Sequence, residues 1–319
     1  MREYLLKRVL LFLPTLVLAS MLIFVIVRAL PGDVTGVLLG GEGEALRPEL
    51  VTALRAELGL DEPLVVQYLQ WLGSVLSGEF GGRSLATREP IADVVARALP
   101  VTATLSLYAL LLAIAGAVPL GAWAASRAGS VPDLLVRSSS LLGVALPGFW
   151  VALLALLALV QALNWSPPLV YYALWRRPLE HLEIMALPAL VLAWELGAHL
   201  TRVTRAATLE ALGQDHVRTA VGKGLSRSAV LFRHALRSAL VPVLTVLGVH
   251  LGALLGGVVV LESVFGLPGL GRALVDAVVG RDYPVVQGLA LLFVALALLA
   301  NLVMDLLYAY LDPRISYGA

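Results

Sequence analysis

Residues 101–125 of the chain read VTATLSLYALLLAIAGAVPLGAWAA and contain no charged side chain. A helix needs about 20 mostly apolar residues to cross the roughly 30 Å hydrocarbon layer of a membrane, so this stretch is long enough to span it. Other stretches of similar length are also nearly free of charge. The predicted spans lie near Val9–Leu30, Val101–Ala125, Leu141–Leu163, Ile184–Thr201, Ala239–Leu261 and Val285–Leu307. The sequence therefore predicts an all-α membrane protein with six transmembrane helices.

The composition excludes several other classes of protein. Hydrophobic residues make up 59% of the 319 residues and charged residues only 14%, whereas about a quarter of a typical globular chain is charged. The net charge of +1 provides no basic field of the kind that binds nucleic acid. The absence of cysteine excludes disulfides and thiol nucleophiles. The first apolar run is too long for a signal-peptide core, so we expect a retained first helix.

The distribution of Lys and Arg predicts the orientation, because these residues collect in the cytoplasmic loops of membrane proteins. If the N-terminus is cytoplasmic, the loops on that side hold the larger set, namely Arg2, Lys7, Arg8, Arg127, Arg137, the basic residues of 202–237, and Arg314. The short loops on the other side hold Arg176, Arg177, Arg272 and Arg281. Both termini are therefore expected in the cytoplasm.

Three regions follow from this topology. Residues 1–30 form the N-terminal transmembrane helix, and residues 98–319 form a core of five further spans that includes the cytoplasmic segment 202–237. Between them, residues 31–97 form an acidic extracytoplasmic appendage. Within the appendage Pro48, Pro63 and Pro90 stand where helices begin, and apolar residues recur at helical spacing after Pro63. We expect amphipathic helices there, with the last of them leading into the second span.

The basic segment 202–237 predicts a docking element. Gly213 interrupts the helical pattern, and Asp215 can then cap a short helix of about eight residues. Gly222 and Gly224 are available at the end of this helix, and Ser226 can cap the next one. A membrane protein that exposes a short capped helix on a basic loop presents a surface for a partner.

The chain has no nucleotide-binding motif of its own. Gly222-Lys223 resembles part of a phosphate-binding loop, but Val217 stands where a glycine is required and Gly224 stands where Ser or Thr is required. The histidines have no hydrolytic motif around them, so we expect a transport subunit and not an enzyme, with no cofactor and no metal. The energy for transport must come from another chain or from an ion gradient.

Polar residues inside the spans are candidates for function because they are costly in lipid. Glu195 and His199 stand four residues apart on one helix face. They form either a proton relay or two metal ligands, or else an interior salt bridge or hydrogen bond. Asn301 and Asp305 also share a face, and a structural clamp to a neighbouring helix or backbone is the favoured interpretation. We expect His250 to be packed or to face a pore.

Gly248, Gly252 and Gly256 recur at every fourth position of the fifth span. Such a strip lets another helix approach closely. The approaching helix belongs either to the same chain or to a second subunit, in which case the strip lines an interface or the wall of a translocation path.

A series of short motifs runs along the whole chain in a fixed order. They are Pro31-Gly32-Asp33; Leu58-Gly59-Leu60-Asp61-Glu62-Pro63 with Gln67-Tyr68; Pro147-Gly148-Phe149-Trp150; Asp215-His216-Val217-Arg218-Thr219-Ala220 with Lys223-Gly224-Leu225; His234-Ala235-Leu236-Arg237 with Pro242; Glu262-Ser263-Val264-Phe265 with Pro268-Gly269-Leu270-Gly271; Arg281-Asp282-Tyr283-Pro284; and Asp305-Leu306-Leu307-Tyr308 with Asp312-Pro313-Arg314. In this order they resemble the peptide/nickel type of binding-protein-dependent ABC transporter permeases, in the subunit with the long first outer loop.

The resemblance implies a type I ABC importer permease fold in a prokaryotic cytoplasmic membrane. It also implies that the stretch from Gly213 to Leu225 is a coupling helix that inserts into a groove on a cytoplasmic ATPase. The residues at the motif positions are Gly213, Asp215, Arg218, Thr219, Ala220, Lys223, Gly224 and Leu225. The generic motif has Glu-Ala-Ala where this chain has Arg218-Thr219-Ala220, so its acidic first residue is absent.

The implied partners are a second homologous permease, one or two ABC ATPase subunits, an extracytoplasmic substrate-binding protein and membrane lipid. The implied function is ATP-driven uptake of dipeptides or oligopeptides, while nickel complexes, glutathione and short sugars remain open as substrates. The alternative is a secondary transporter that is driven by an ion gradient through Glu195, His199 and Asp305.

Overall fold

A computed structural model describes residues 2–29, 61–168 and 170–311, with side chains for 10–29, 61–168 and 170–307. Its α-helices are α1 (Arg2–Ala29), α2 (Leu64–Leu76), α3 (Ile91–Ser126), α4 (Val131–Ala145), α5 (Gly148–Leu163), α6 (Pro178–Leu212), α7 (Asp215–Gly222), α8 (Arg227–Ala229), α9 (Leu236–Phe265), α10 (Leu270–Val279) and α11 (Tyr283–Leu311). A π-helical segment, Val230–Ala235, joins α8 to α9. The predicted helix start at Pro48 and the motif Asp312-Pro313-Arg314 lie outside the described residues.

The described helices confirm an all-helical membrane fold. Five helical runs are long and apolar enough to cross a membrane, and a bent pair of helices brings the number to six if the pair counts as one span. The predicted spans correspond in order to α1, α3, the pair α4 and α5, α6, the run that ends with α9, and α11.

The third span differs from the prediction of one continuous helix over Leu141–Leu163. The chain breaks after Ala145, and α4 and α5 meet at an angle of 109°. Leu146 has an extended backbone, with ψ 132, because the ring of Pro147 disfavours helical geometry in the residue before it. The prediction of a single helix here is wrong, and the proline explains why.

The fourth predicted span is confirmed as part of a longer helix. Helix α6 continues through Pro188 and Glu195, and 67% of its apolar window is buried, the largest share of any span. Burial against neighbouring helices is the setting in which a bundle tolerates a helix-interior proline and an ionisable side chain. Pro188 and Glu195 therefore lie on the span with the largest buried share.

The chain divides into two compact units. The first comprises Met1–Leu5, Thr102–Leu267 and Leu299–Ala319. Its core contains Leu200 of α6 and Met304 of α11. Small residues bring α3 and α6 together, since a Cβ on Gly121 would lie 2.7 Å from the carbonyl oxygen of Thr201. The close approach of these two helices therefore requires a glycine on α3.

The second unit comprises Leu6–Val101 and Pro268–Leu298. Its core joins Ile91 of α3, Leu270 of α10 and Leu289 of α11, all fully buried. Helix α10 lies in a segment that the sequence analysis treats as a loop. Helix α2 forms after Pro63 as predicted, and its Trp71 packs against Phe24 of α1. In the described part of the appendage, α2 is thus packed against α1, and the non-helical residues 77–90 lead from it to α3.

Candidate functional site

The segment between α6 and α9 folds as a helix, a short helix and a helix, as the sequence predicts. Helix α6 ends at Leu212, Gly213 follows, and α7 runs from Asp215 to Gly222. Gly224 has φ +76, a left-handed conformation that costs a glycine little and other residues more. The turn after α7 is therefore fixed by a glycine at one of the predicted coupling positions.

The caps of α7 differ in one respect from the prediction. Gln214 and not Asp215 occupies the N-cap, and its side chain makes no capping hydrogen bond. Asp215 is the first helical residue, where its negative charge interacts favourably with the positive end of the helix dipole. Ser226 caps the following helix as predicted, since its Oγ accepts a hydrogen bond of 3.3 Å from the backbone N–H of Ala229.

A small apolar cluster anchors α7 to the flanking helices. Val217 and Ala220 are buried and pack with Ala211 of α6 and Val230 and Ala235 of the π-helical segment. A second contact links His216 and Ser238, whose Nε2 and Oγ lie 3.2 Å apart. These contacts hold α7 to the ends of both neighbouring helices, so a force applied to α7 reaches them.

The opposite face of α7 and the turn after it are exposed. The side chains of Asp215 and Arg218 are 98% and 73% exposed, and they form only a loose ion pair of 3.6 Å. Thr219 and Lys223 are also exposed. Three apolar residues of the same segment, Val221, Leu225 and Phe232, are 59%, 43% and 47% exposed. These three side chains are therefore available for contact with a partner.

Three of the predicted intramembrane polar residues line one cavity in the first unit. Glu195 and His199 reach it from α6, and His250 reaches it from α9. The two imidazole rings stack with their centroids 4.0 Å apart and their planes inclined by 31°. Within the described part of the chain, no group of three or more His, Asp or Glu residues is arranged to hold a metal ion.

Asn301 and Asp305 do not line this cavity. On α11 the side chain of Asn301 is exposed and that of Asp305 is half-buried. The glycine strip on α9 has two different environments. Gly248 packs against Met304 of the same chain, whereas a Cβ on Gly252 or Gly256 would meet no described atom within 4 Å.

Comparison with known proteins assigns the chain to a family. Residues 117–317 match the family described as binding-protein-dependent transport system inner membrane component, and residues 1–106 match the N-terminal model of the same system. The chain belongs to this family. It is therefore a multi-pass bacterial inner membrane protein and the permease subunit of an ABC importer.

The similarity to individual relatives extends over the whole permease. A putative peptide transport system permease protein of Brucella suis is 42% identical over 317 residues, which cover 99% of this chain and 100% of the relative. The oligopeptide transport system permease protein AppB of Bacillus subtilis is 37% identical, with the same coverage of both chains. The glutathione transport system permease protein GsiC of Escherichia coli K12 is 38% identical, again with that coverage.

The permease also contains a buried ion pair that the sequence analysis missed. The guanidinium of Arg205 on α6 donates to both carboxylate oxygens of Asp133 on α4, at 2.5 and 2.8 Å. The backbone N–H of Gly129 donates to the same carboxylate at 3.0 Å. Asp133 is only 1% exposed. The two residues are 72 positions apart, so no local pattern in the sequence connects them.

A second missed feature is a carboxylate clamp in the other unit. Asp282, which precedes α11, accepts hydrogen bonds from the hydroxyl of Ser84 at 2.5 Å and the backbone N–H of Leu85 at 3.1 Å. The N–H of Ala86 lies 3.4 Å from it. Asp282 belongs to a motif that carries the family resemblance, and the structure shows that it orders the loop before α3.

Proposed function

We propose that this permease imports dipeptides or oligopeptides that an extracytoplasmic substrate-binding protein delivers to it. In this proposal it encloses the translocation path together with a second, homologous permease. One or two cytoplasmic ATPase subunits bind and hydrolyse ATP and move the pair between outward-open and inward-open states. The chain itself contributes no catalytic residue.

The observation that carries the proposal is the exposed face of α7. This helix is held by Val217 and Ala220 on one side, and it presents Val221 and Leu225 in the same segment to the surroundings. The chain has no phosphate-binding loop, so the energy of ATP must enter through a contact with another protein. A short helix tied at both ends to membrane-spanning helices is suited to transmit that movement.

The names of the relatives support the substrate class. The relatives from Brucella suis and Bacillus subtilis are described as peptide and oligopeptide permeases. The relative from Escherichia coli is described as a glutathione permease, and glutathione is itself a short peptide. All of them match this chain over 99% of its length, so the likeness includes every predicted span.

The proposal places both termini and α7 in the cytoplasm, because that orientation puts the basic segment 202–237 inside. Residues 1–30 then form the first span, residues 31–97 an appendage on the outer face, and residues 98–319 the core. The appendage and the segment before α11 lie on the side where the binding protein arrives. In this proposal these two segments take part in docking of the binding protein or in gating.

The docking of the ATPase is tested with a permease that carries Val221→Asp and Leu225→Asp. Both side chains are exposed, so the thermal unfolding temperature of the variant is expected to equal that of the wild type. Two unpaired carboxylates buried at an apolar contact are costly, so we expect binding of the ATPase to weaken at least tenfold, which corresponds to about 1.4 kcal/mol. The measurement is the Kd between the permease pair and the ATPase.

A matched control introduces the same change at another exposed apolar position. Val131, at the start of α4, is 69% exposed and is replaced by Asp. The Kd of this variant is expected to equal that of the wild type. Unchanged ATPase binding by the α7 variant would refute docking at this helix.

A further inference from the structure

The cavity between α6 and α9 is small and has an unusual lining for the interior of a membrane bundle. Its volume is about 50 Å³, and its apolar lining includes Leu192, Ala253 and Gly257. Against this wall stand one carboxylate, that of Glu195, and the stacked imidazoles of His199 and His250. All three polar side chains are partly exposed, so the cavity can be reached from outside the chain.

The carboxylate of Glu195 is placed there by its neighbours. A Cβ on Gly148 at the start of α5 would overlap its Oε2 atom, so the glycine leaves the space that the carboxylate occupies. Within the described residues, Glu195 has no hydrogen bond or ion pair. A carboxylate in an apolar setting without a cation is costly. A cationic group of a ligand in the cavity would stabilise this carboxylate.

The three groups match one kind of cation. A neutral imidazole offers one acceptor nitrogen and an ionised carboxylate offers acceptors only, while an ammonium group carries three N–H donors and no acceptor. An ammonium group is about the size of a water molecule, and a cavity of this volume admits it. The rest of an amine-bearing molecule would remain outside the cavity.

We propose that Glu195, His199 and His250 bind the ammonium group of an amine-bearing substrate, such as the free N-terminus of a peptide, as it passes the permease. This inference rests on the proposed function and adds a chemical selectivity to it. A charge-assisted hydrogen bond contributes about 1.5–3 kcal/mol, so loss of the carboxylate corresponds to a decrease of about tenfold or more in kcat/KM for such a substrate.

The experiment compares a peptide that has a free N-terminus with the same peptide after N-acetylation, in proteoliposomes that contain the complete importer. The variants are Glu195→Gln, His199→Phe and His250→Phe; a Phe ring preserves the stacked contact but has no acceptor nitrogen. Each uptake rate is measured at a concentration of loaded binding protein well below saturation, so that it reports kcat/KM. Because the binding protein is the same in every assay, its own preference for one peptide over the other cancels when the uptake rate of a variant is divided by that of the wild type.

The expected result is a decrease of about tenfold in uptake of the free peptide by Glu195→Gln, a smaller decrease by each His variant, and unchanged uptake of the acetylated peptide. The matched control is Glu183→Gln on the same helix. The carboxylate of Glu183 lies outside the cavity and accepts a hydrogen bond of 2.8 Å from Trp165. This control should transport both peptides like the wild type.

Two results would overturn the inference. Equal effects on both peptides would show that the three residues act through structure or general polarity and not through the amine. No effect on either peptide would show that the cavity holds nothing but water. Absence of ATP-dependent uptake of both peptides by the wild-type importer would instead refute the proposed function, so the two failures can be distinguished.

Discussion

Helix α6 carries two polar regions that differ in how completely they are paired. Arg205 forms two hydrogen bonds with the buried carboxylate of Asp133. His199 stands six residues earlier, about 9 Å along the helix, and lines a cavity with Glu195 and His250. Among the described residues, the carboxylate of Asp133 has a guanidinium partner, whereas that of Glu195 forms no ion pair. A closed pair contributes to the fold, whereas an open set of acceptors is available to a ligand.

The largest loss of stability is expected when Arg205, the cation of the closed pair, is replaced. Arg205→Met leaves the carboxylate of Asp133 buried beside an apolar side chain. Removing one partner of a fully buried pair typically costs about 3–5 kcal/mol, and because Arg205 is 20% exposed we expect a cost at or below the lower end of that range. We expect a lower thermal unfolding temperature of the importer in detergent and less permease in the membrane.

The control for this variant is an exposed ion pair at the start of α6, between the N-cap residue Arg177 and Glu180 of the first turn. Arg177 lies 3.4 Å from Glu180, and both side chains are exposed by more than two-fifths. Exposed pairs contribute about 0–1 kcal/mol, and the contact of the Arg177 guanidinium with the Tyr172 ring adds about 0.5–1 kcal/mol, so Arg177→Met should lower the unfolding temperature less than Arg205→Met does. Similar decreases in unfolding temperature for Arg205→Met and Arg177→Met would show that the pair of Arg205 and Asp133 contributes no more to stability than an exposed pair does.

An intermediate effect is expected at the clamp in the second unit. Asp282→Ala removes the acceptor for the hydroxyl of Ser84 and the backbone N–H of Leu85. Unsatisfied buried donors cost about 1–3 kcal/mol each, and some of them will find water. Amide hydrogen exchange at Leu85 should accelerate strongly, and Ser84→Ala should accelerate it less. Unchanged protection of this amide in Asp282→Ala would show that the loop is ordered by other contacts.

The smallest effect on stability is expected at Gly148. An alanine Cβ there overlaps only the end of the flexible Glu195 side chain, which can turn away at a cost below about 1.5 kcal/mol. The unfolding temperature should change little, while uptake of a free-amine peptide should fall as it does in Glu195→Gln. Gly116→Ala is the control, since its Cβ meets no described atom within 4 Å. A normal uptake rate for Gly148→Ala would argue against the position assigned to the carboxylate.

The sequence predicts the parts of the fold that depend on local patterns. Charge-free run lengths are sufficient for the spans, and Gly213, Gly224 and Ser226 predict the short helix because caps and turns depend on residues close in the chain. The break at Pro147 was accessible to the same reasoning, because a proline restricts the residue before it. Helix α10 has Leu270, Leu274 and Ala277 at helical spacing, but it is only ten residues long, so its apolar pattern is too short to predict a helix.

The polar contacts could not be predicted, because they join residues far apart in the chain. Asp133 and Arg205 are separated by 72 positions, and Ser84 and Asp282 by 198. The sequence places Glu195 and His199 on one face of α6, but nothing in it brings His250 beside them. Which acceptors share a cavity is decided by how the helices pack.

The most direct test of the central claim uses proteoliposomes that contain this permease with its second permease and ATPases. Peptide uptake is measured with and without ATP and loaded binding protein, in the presence of a protonophore, and compared with uptake by this chain alone. We expect uptake only by the full assembly, dependent on ATP and on the binding protein, and insensitive to the protonophore. Uptake by this chain alone that needs no ATP and that the protonophore abolishes would contradict the account and indicate a secondary transporter.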